Sequence, residues 1–299
     1  MQPAWQQRPE AGNPIAMVLF ARIALAVGHR LARLFLLPVC SYFFLSRKEE
    51  RLASREFLGR VLKSDVKLRD VWRHFWTFSQ VILDRAFILS NRTSGMKLET
   101  EGLEILHRAL DEEGGCLMLG SHLGSFEASR AIKERRPEVA LRIVMDRTVN
   151  AAATGFLEQL NPELAAGVLD ISHEPGTVLK LLDTLRDGAL VAILADRVRG
   201  AEDVISARFL GEQANFPAAP HLFAMLTQSP LILFWGLHQG PGRYRVIFER
   251  IDTPPLATRG QRQAALAASV QAFADRLAYY TRQTPYNWFN FYDFWRMNG

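Results

Sequence analysis

Cys116-Leu-Met-Leu119-Gly120-Ser-His122-Leu-Gly124-Ser125-Phe-Glu127 is the stretch whose reading decides this chain. A short apolar run gives way to a glycine-flanked turn, and Ala128-Ser-Arg-Ala-Ile-Lys133 beyond it has helix-forming composition. The pattern reads as strand, tight turn, helix. Gly120 and Gly124 permit the turn, and Ser125 suits the N-cap, which puts Glu127 near the positive end of the helix dipole. Residues five apart on a straight helix point to different faces, so His122 reaches Glu127 only by folding back over the helix start. A histidine leaning on a carboxylate is a general base, able to take the proton of a hydroxyl that attacks an acyl carbonyl. Backbone N–H groups between Gly120 and Ser125 are the expected oxyanion donors. The plainer reading is a polar loop whose histidine caps a helix.

Working outward, the 299 residues suit one α/β domain with an appended element, and 48% hydrophobic with 10% aromatic content indicates a folded chain. The net charge of +5 is concentrated near an N-terminal apolar segment, which favours an anionic membrane surface over nucleic acid. Cys40 and Cys116 lie far apart in apolar settings and read as buried small hydrophobes. No Cys/His cluster has metal-ligand spacing, and neither a metal nor an organic cofactor is expected.

From Pro14 to Leu45 the chain is apolar but interrupted by Arg22, His29, Arg30 and Arg33, with positions 22, 29 and 33 on one helical face. Pro38 is expected to break or kink the pattern. No run reaches the ~18 apolar residues of a clear membrane span, so an interfacial amphipathic hairpin is expected. Helices packed on the protein's own core are one alternative, and a true span of residues 14–45 with snorkelling arginines is another. Residues 50–95 read as helical, with Trp72, Phe75, Trp76, Val81, Ile82, Phe87 and Ile88 as a mostly core-facing stripe. His74, without a partner motif, reads as a surface or boundary residue.

After Gly95 strand and helix alternate, predicting a mixed sheet flanked by helices. The division is therefore 1–95 for an N-terminal helical, membrane-associated region and 96–299 for the α/β domain. Strands are expected at Met96–Glu101, Cys116–Leu119, Leu141–Met145, Gly167–Ile171, Leu190–Ala195, Leu231–Trp235 and Tyr244–Glu249. Helices are expected between several of these, including Glu127–Arg135, and a last helix at Gln261–Thr281. His122, Asp146-Arg147 and Asp196-Arg197 each follow an apolar strand. If those strands are parallel, all lie at the carboxyl edge, where open α/β sheets place ligands. His173-Glu174 is a rival base, weakened because adjacent residues on an extended chain point apart.

His122-Leu-Gly-Ser-Phe-Glu127 resembles the H-x-x-x-x-[DE] motif of glycerolipid and lysophospholipid acyltransferases. The wider chain is similar to their branch that holds the late acyltransferases of lipid A biosynthesis. Arg147-Thr-Val-Asn150 and Leu194-Ala-Asp196-Arg197 resemble two further blocks of that branch, as does Phe209-Leu-Gly211 with Phe216-Pro217. Trp288 matches the tryptophan of the terminal P-x-x-W block. Basic residues follow that block in lipid A enzymes, whereas here Phe291-Tyr-Asp-Phe-Trp295 does, an ending similar to the acyltransferases of aryl polyene and xanthomonadin pigment clusters.

The resemblance implies a glycerolipid-acyltransferase-like domain that moves an acyl chain from an acyl carrier protein to a lipid hydroxyl at the cytoplasmic face of a bacterial inner membrane. His122 and Glu127 are its implied catalytic pair. Gly120, Ser125, Arg147, Asn150, Asp196, Arg197, Phe209, Gly211, Phe216 and Trp288 are its implied substrate-binding residues. Phe209 and Phe216 are expected to wall an acyl groove, and the aromatic tail to sit at a membrane interface or groove rim. A lipid A, other glycolipid or lysophospholipid acceptor, thioester hydrolysis, and a non-catalytic lipid carrier reusing the fold are the alternatives.

Overall fold

The computed structural model describes residues 14–129, 132, 136–147, 151–171, 176–198, 202–252 and 259–297. Helices α1 (Pro14–Val27), α2 (His29–Ser46), α3 (Lys48–Leu62) and α4 (Leu68–Leu89) lead the chain. Strand and helix then alternate through β1 (Lys97–Glu101), α5 (Leu103–Glu113), β2 (Cys116–Gly120), a 3-10 turn (Phe126–Ser129) and β3 (Leu141–Met145). Next come α6 (Ala151–Leu160), α7 (Pro162–Ala166), β4 (Val168–Asp170), α8 (Thr177–Arg186) and β5 (Leu190–Leu194). The hairpin β6 (Val204–Phe209) and β7 (Glu212–Pro217) precedes α9 (Ala219–Thr227), β8 (Leu231–Gly240), β9 (Arg243–Ile251), α10 (Arg259–Gln283) and α11 (Phe294–Met297).

The main sheet has the order β1-β9-β8-β2-β5-β3-β4, and its neighbours are parallel except for antiparallel β8 and β9. It is the mixed sheet with flanking helices that the alternation predicts. β2 is apolar at every position because both of its faces are covered. Leu117 and Leu119 pack with Trp235, Phe273 and Phe57 on one side, and Cys116 and Met118 with Leu106, Val81 and Phe234 on the other. The period of two in a strand sorts neighbours into the two cores.

Phe57 and Leu58 of α3 and Phe75 of α4 belong to the same core as β2 and β8. In α2 the buried positions Ala32, Leu36, Cys40 and Phe44 recur every fourth residue, the spacing of one helix face. Ala32 and Leu36 meet Leu83 and Phe87 of α4, and Phe44 meets Trp72 and Phe75 edge-on. Contrary to expectation α2 runs on through Pro38, and the break comes at Gly28, whose φ of 86° glycine adopts without strain. The basic face expected at positions 22, 29 and 33 turns partly inward. His29 Nε2 lies 2.5 Å from the buried Asp84 carboxylate, which also accepts from Gly242 N and from Tyr244 Oη.

The β6–β7 hairpin was not foreseen in the sequence. Leu210 and Gly211 carry its turn with φ of 52° and 103°, and glycine is the favoured residue at such a corner. The helix expected from Glu127 opens instead as the 3-10 turn, while residues 130–131 and 133–135 lie outside the described set. Among the described residues no helix is long and apolar enough to cross a membrane.

His74 is wholly buried, correcting its surface assignment. Burial holds it at about 4, His221 at about 3 and His238 at about 4. An unfolded histidine takes up its proton near 6.5, so between pH 6.5 and about 4 the unfolded chain binds more protons than the folded one. Folding stability is therefore greatest above that window and falls as the pH drops through it. Urea unfolding at pH 7 and pH 5 should give a clearly lower midpoint at pH 5, and equal midpoints would contradict the burial of these rings.

Candidate active site

β2 and β5 run side by side with Gly120 opposite Leu194. Two residues further on, each strand has left the sheet, one at His122 and the other at Asp196. His122 Nδ1 lies 2.7 Å from Asp196 Oδ1, and the His122 backbone N–H donates to Oδ2 at 3.0 Å. A carboxylate only accepts, so Nδ1 carries the imidazole proton and Nε2 keeps its lone pair. Among the described residues Nε2 has no partner, and the ring is 27% exposed against 0% for Asp196. Trp288 Nε1–H at 2.9 Å and Asn290 Nδ2 at 3.4 Å complete the donors around Oδ2.

Burial alone would raise the Asp196 carboxyl, but the His122 ring, its hydrogen bonds and the Arg197 charge overcome that and hold it at about 2. Burial and the Arg197 charge push His122 below its ordinary value, against the opposing pull of Asp196 and Glu127. The resting pair is thus a neutral imidazole on an ionised carboxylate. That is the arrangement of a general base with a fixed tautomer.

The expected partner of His122 is corrected. Glu127 Oε1 pairs with Arg85 Nε at 2.7 Å, and its Oε2 accepts from Ser125 Oγ at 3.1 Å. Its place on the 3-10 turn directs the carboxylate to α4, and its charge favours the protonated form of the His122 ring. Four of the expected oxyanion donors are engaged within the protein. The His122 N–H goes to Asp196, Leu123 to Ser121 Oγ, Gly124 to Asn287 O and Ser125 to Gly236 O. Ser125 is buried and held by Glu127 and β8. Gly120 lies within the sheet, where an added Cβ would press on Leu194 and the Phe126 ring at 3.1 Å.

Asp146-Arg147 follows β3, which is parallel to β5, so it shares the sheet edge with His122 and Asp196. Yet the Arg147 guanidinium pairs with Glu158 of α6 and its backbone N–H with Asp170. Arg197 is turned to the C-terminal tail, donating to Asn290 Oδ1 at 2.7 Å and Phe289 O at 2.9 Å. Asn150, His173 and Glu174 lie outside the described residues.

Phe209 and Phe216 are fully buried and pack edge-on among Trp288, Phe294 and Phe273, so they form core and not the wall of an open groove. The tail is likewise packed inside, with Trp288 at 0% and Phe294 at 1% exposure. Trp288 serves as a donor to Asp196 and a backbone partner of Leu123. Sequence reasoning missed the Asp196–His122 contact itself. Its one signal was that both residues follow apolar strands at similar distance; that β2 and β5 are neighbours lies in the tertiary fold.

A family model described as bacterial lipid A biosynthesis acyltransferase matches residues 16–297, from α1 through α11. The chain belongs to this family. No curated protein matches it significantly. Membership makes the chain an acyltransferase of lipid biosynthesis, and the match takes in both the His122 loop and the tail that clamps it.

In this family member the loop tolerates little at its second glycine. Gly124 has φ of 75°, and a Cβ there would stand 1.9 Å from Gly236 O, while one on Gly236 would stand 2.1 Å from Ser125 O. Gly124→Ala should cost about 3 kcal/mol or more, read as a lowered urea midpoint, because backbone and not a flexible side chain blocks the space. An unchanged midpoint would contradict this close approach.

Proposed function

We propose that this protein is a membrane-apposed O-acyltransferase in which His122 deprotonates a lipid hydroxyl and Asp196 holds the imidazole. The single observation behind this reading is the 2.7 Å contact of His122 Nδ1 with the buried Asp196 carboxylate, which leaves Nε2 unprotonated at the sheet edge. Nε2 takes the hydroxyl proton as the oxygen attacks the thioester carbonyl of an acyl carrier protein. The new C–O bond forms, the C–S bond breaks, and the proton on Nε2 passes to the leaving thiolate. Asp196 stays ionised throughout and stabilises the transient imidazolium. Glu127 adds its charge and, with Arg85 and Ser125, braces the turn.

Support for a membrane surface comes from the N-terminal helices. Leu19, Ile23, Leu31, Leu34, Phe35 and Leu45 are exposed, with exposed Arg30 and Lys48 beside them. An apolar face rimmed by basic residues suits an anionic interface, here the cytoplasmic face of an inner membrane, where acyl carrier protein is found. The tail ending similar to the pigment-cluster proteins favours an aryl polyene-type lipid over a phosphorylated lipid A acceptor.

The test offers purified protein an acyl carrier thioester with candidate lipid acceptors and follows acyl transfer by mass spectrometry. His122→Ala should lower kcat about 10²- to 10⁴-fold with folding intact. Asp196→Asn should lower it by a similar factor, and more than Glu127→Gln does. Full activity in His122→Ala would remove the mechanism, and greater loss in Glu127→Gln than in Asp196→Asn would return the supporting role to Glu127.

The pH dependence has a definite sign. Activity needs neutral His122, so kcat/KM should rise with pH along a limb below 6.5 and be level at neutral pH. Arg197→Gln removes a charge that disfavours imidazolium, so its limb should move to higher pH. A limb that stays in place or moves down would contradict the assigned electrostatics.

A further inference from the structure

A buried hydrogen-bond chain runs through Trp288 to Asp196, and its far end lies in the N-terminal helices. Ser54 of α3 and His74 of α4 are both wholly buried, and Ser54 Oγ lies 2.8 Å from His74 Nδ1. On the other side of the ring, His74 Nε2 lies 2.9 Å from the backbone oxygen of Trp288. A carbonyl only accepts, so Nε2 carries the proton and Nδ1 accepts from the Ser54 hydroxyl. The ring is stacked on Phe291 at 4.6 Å, and Phe57 stands against both His74 and Trp288. Every polar atom of this imidazole is therefore used, and aromatic faces fix its plane.

The residue that His74 holds is the one whose indole meets Asp196. Trp288 gives its carbonyl to His74 and its Nε1–H to Asp196 Oδ2. On either side, Asn287 O accepts from Gly124 N at 2.8 Å and Phe289 N donates to His122 O at 2.9 Å. The tail thus reaches the histidine loop through its backbone, the carboxylate through an indole, and α4 through one imidazole. A buried ring with both nitrogens engaged is costly to assemble for packing alone, since an apolar side chain would fill the same space without desolvating two polar atoms.

The geometry points to His74, oriented by Ser54, as a positioning residue for the Asp196–His122 pair, acting through Trp288. This rests on the function proposed above but concerns residues that touch neither His122 nor its carboxylate. Loss of the His74 donor frees the Trp288 carbonyl, lets the indole drift, and removes one N–H from Asp196 Oδ2. A carboxylate with fewer donors attracts the His122 proton more strongly. Arg197 and Glu127, the other charges acting on His122, keep their places and their opposing effects.

The test titrates His122 by NMR in histidine-labelled protein, which needs no substrate. His74→Leu removes both hydrogen bonds, and His74→Asn is too short to reach Trp288 and serves where the leucine variant does not fold. His74→Gln places an amide N–H near the position of Nε2 and keeps the donor. His74→Leu or His74→Asn should raise the proton affinity of His122 about three- to tenfold, in the same direction as Trp288→Phe. His74→Gln should titrate as the wild type does. Combining His74→Leu with Trp288→Phe should move His122 no further than Trp288→Phe alone. A folded His74→Leu or His74→Asn protein with unchanged His122 titration would overturn the proposal, as would full additivity in the double variant. In acyl transfer the same variants should lose kcat about 10- to 100-fold with KM little changed. An active His122→Ala would sink the catalytic reading while leaving this coupling measurable.

Discussion

One buried carboxylate organises this protein. Asp196 sits at zero exposure and accepts from the backbone and ring of His122, from the Trp288 indole and from the Asn290 amide. An ionised carboxylate without partners is very costly to bury, so these donors are the condition for its being there. They come from the loop after β2 and from the C-terminal tail, while the carboxylate comes from the end of β5. Sheet topology, loop conformation and tail docking therefore have to be right together, which makes this contact a constraint on the fold as well as on the chemistry.

The same constraint explains the aromatic tail. Trp288 must deliver its N–H to Asp196 while its ring lies among Phe57, Phe209 and Phe294. Phe209 and Phe216 of the β6–β7 hairpin and Trp295 of α11 close around it, with the Arg60 guanidinium over the Trp295 ring. Residues that look suited to a membrane or an acyl groove are thus used as ballast around a polar contact. The exposed apolar face of the molecule lies instead on α1 and α2, whose opposite sides pack on α4 and α6.

Local pattern carried the sheet. The apolar runs at 116–119, 141–145 and 190–195 each mark a central strand, since a strand covered on both faces has little freedom in composition. The strand-to-turn step at Gly120, which sets His122 at the sheet edge, was legible for the same reason. The partner of His122 was not. Spacing offered Glu127, five residues away, whereas the carboxylate in contact is 74 residues along the chain and is brought there by β2–β5 pairing. His74 looked unremarkable because its partners, Ser54 and the Trp288 carbonyl, are distant in sequence and one of them is backbone. The β6–β7 hairpin escaped notice because most of its outward positions are polar and its apolar ones read as a motif block.

The most direct test of the account is the tautomer of His122, read from nitrogen chemical shifts of histidine-labelled protein at neutral pH. The account predicts a neutral ring with the proton on Nδ1 and a bare Nε2, and loss of that fixed tautomer in Asp196→Asn. A ring protonated at Nε2, or an imidazolium at pH 7, would contradict a base held ready by Asp196.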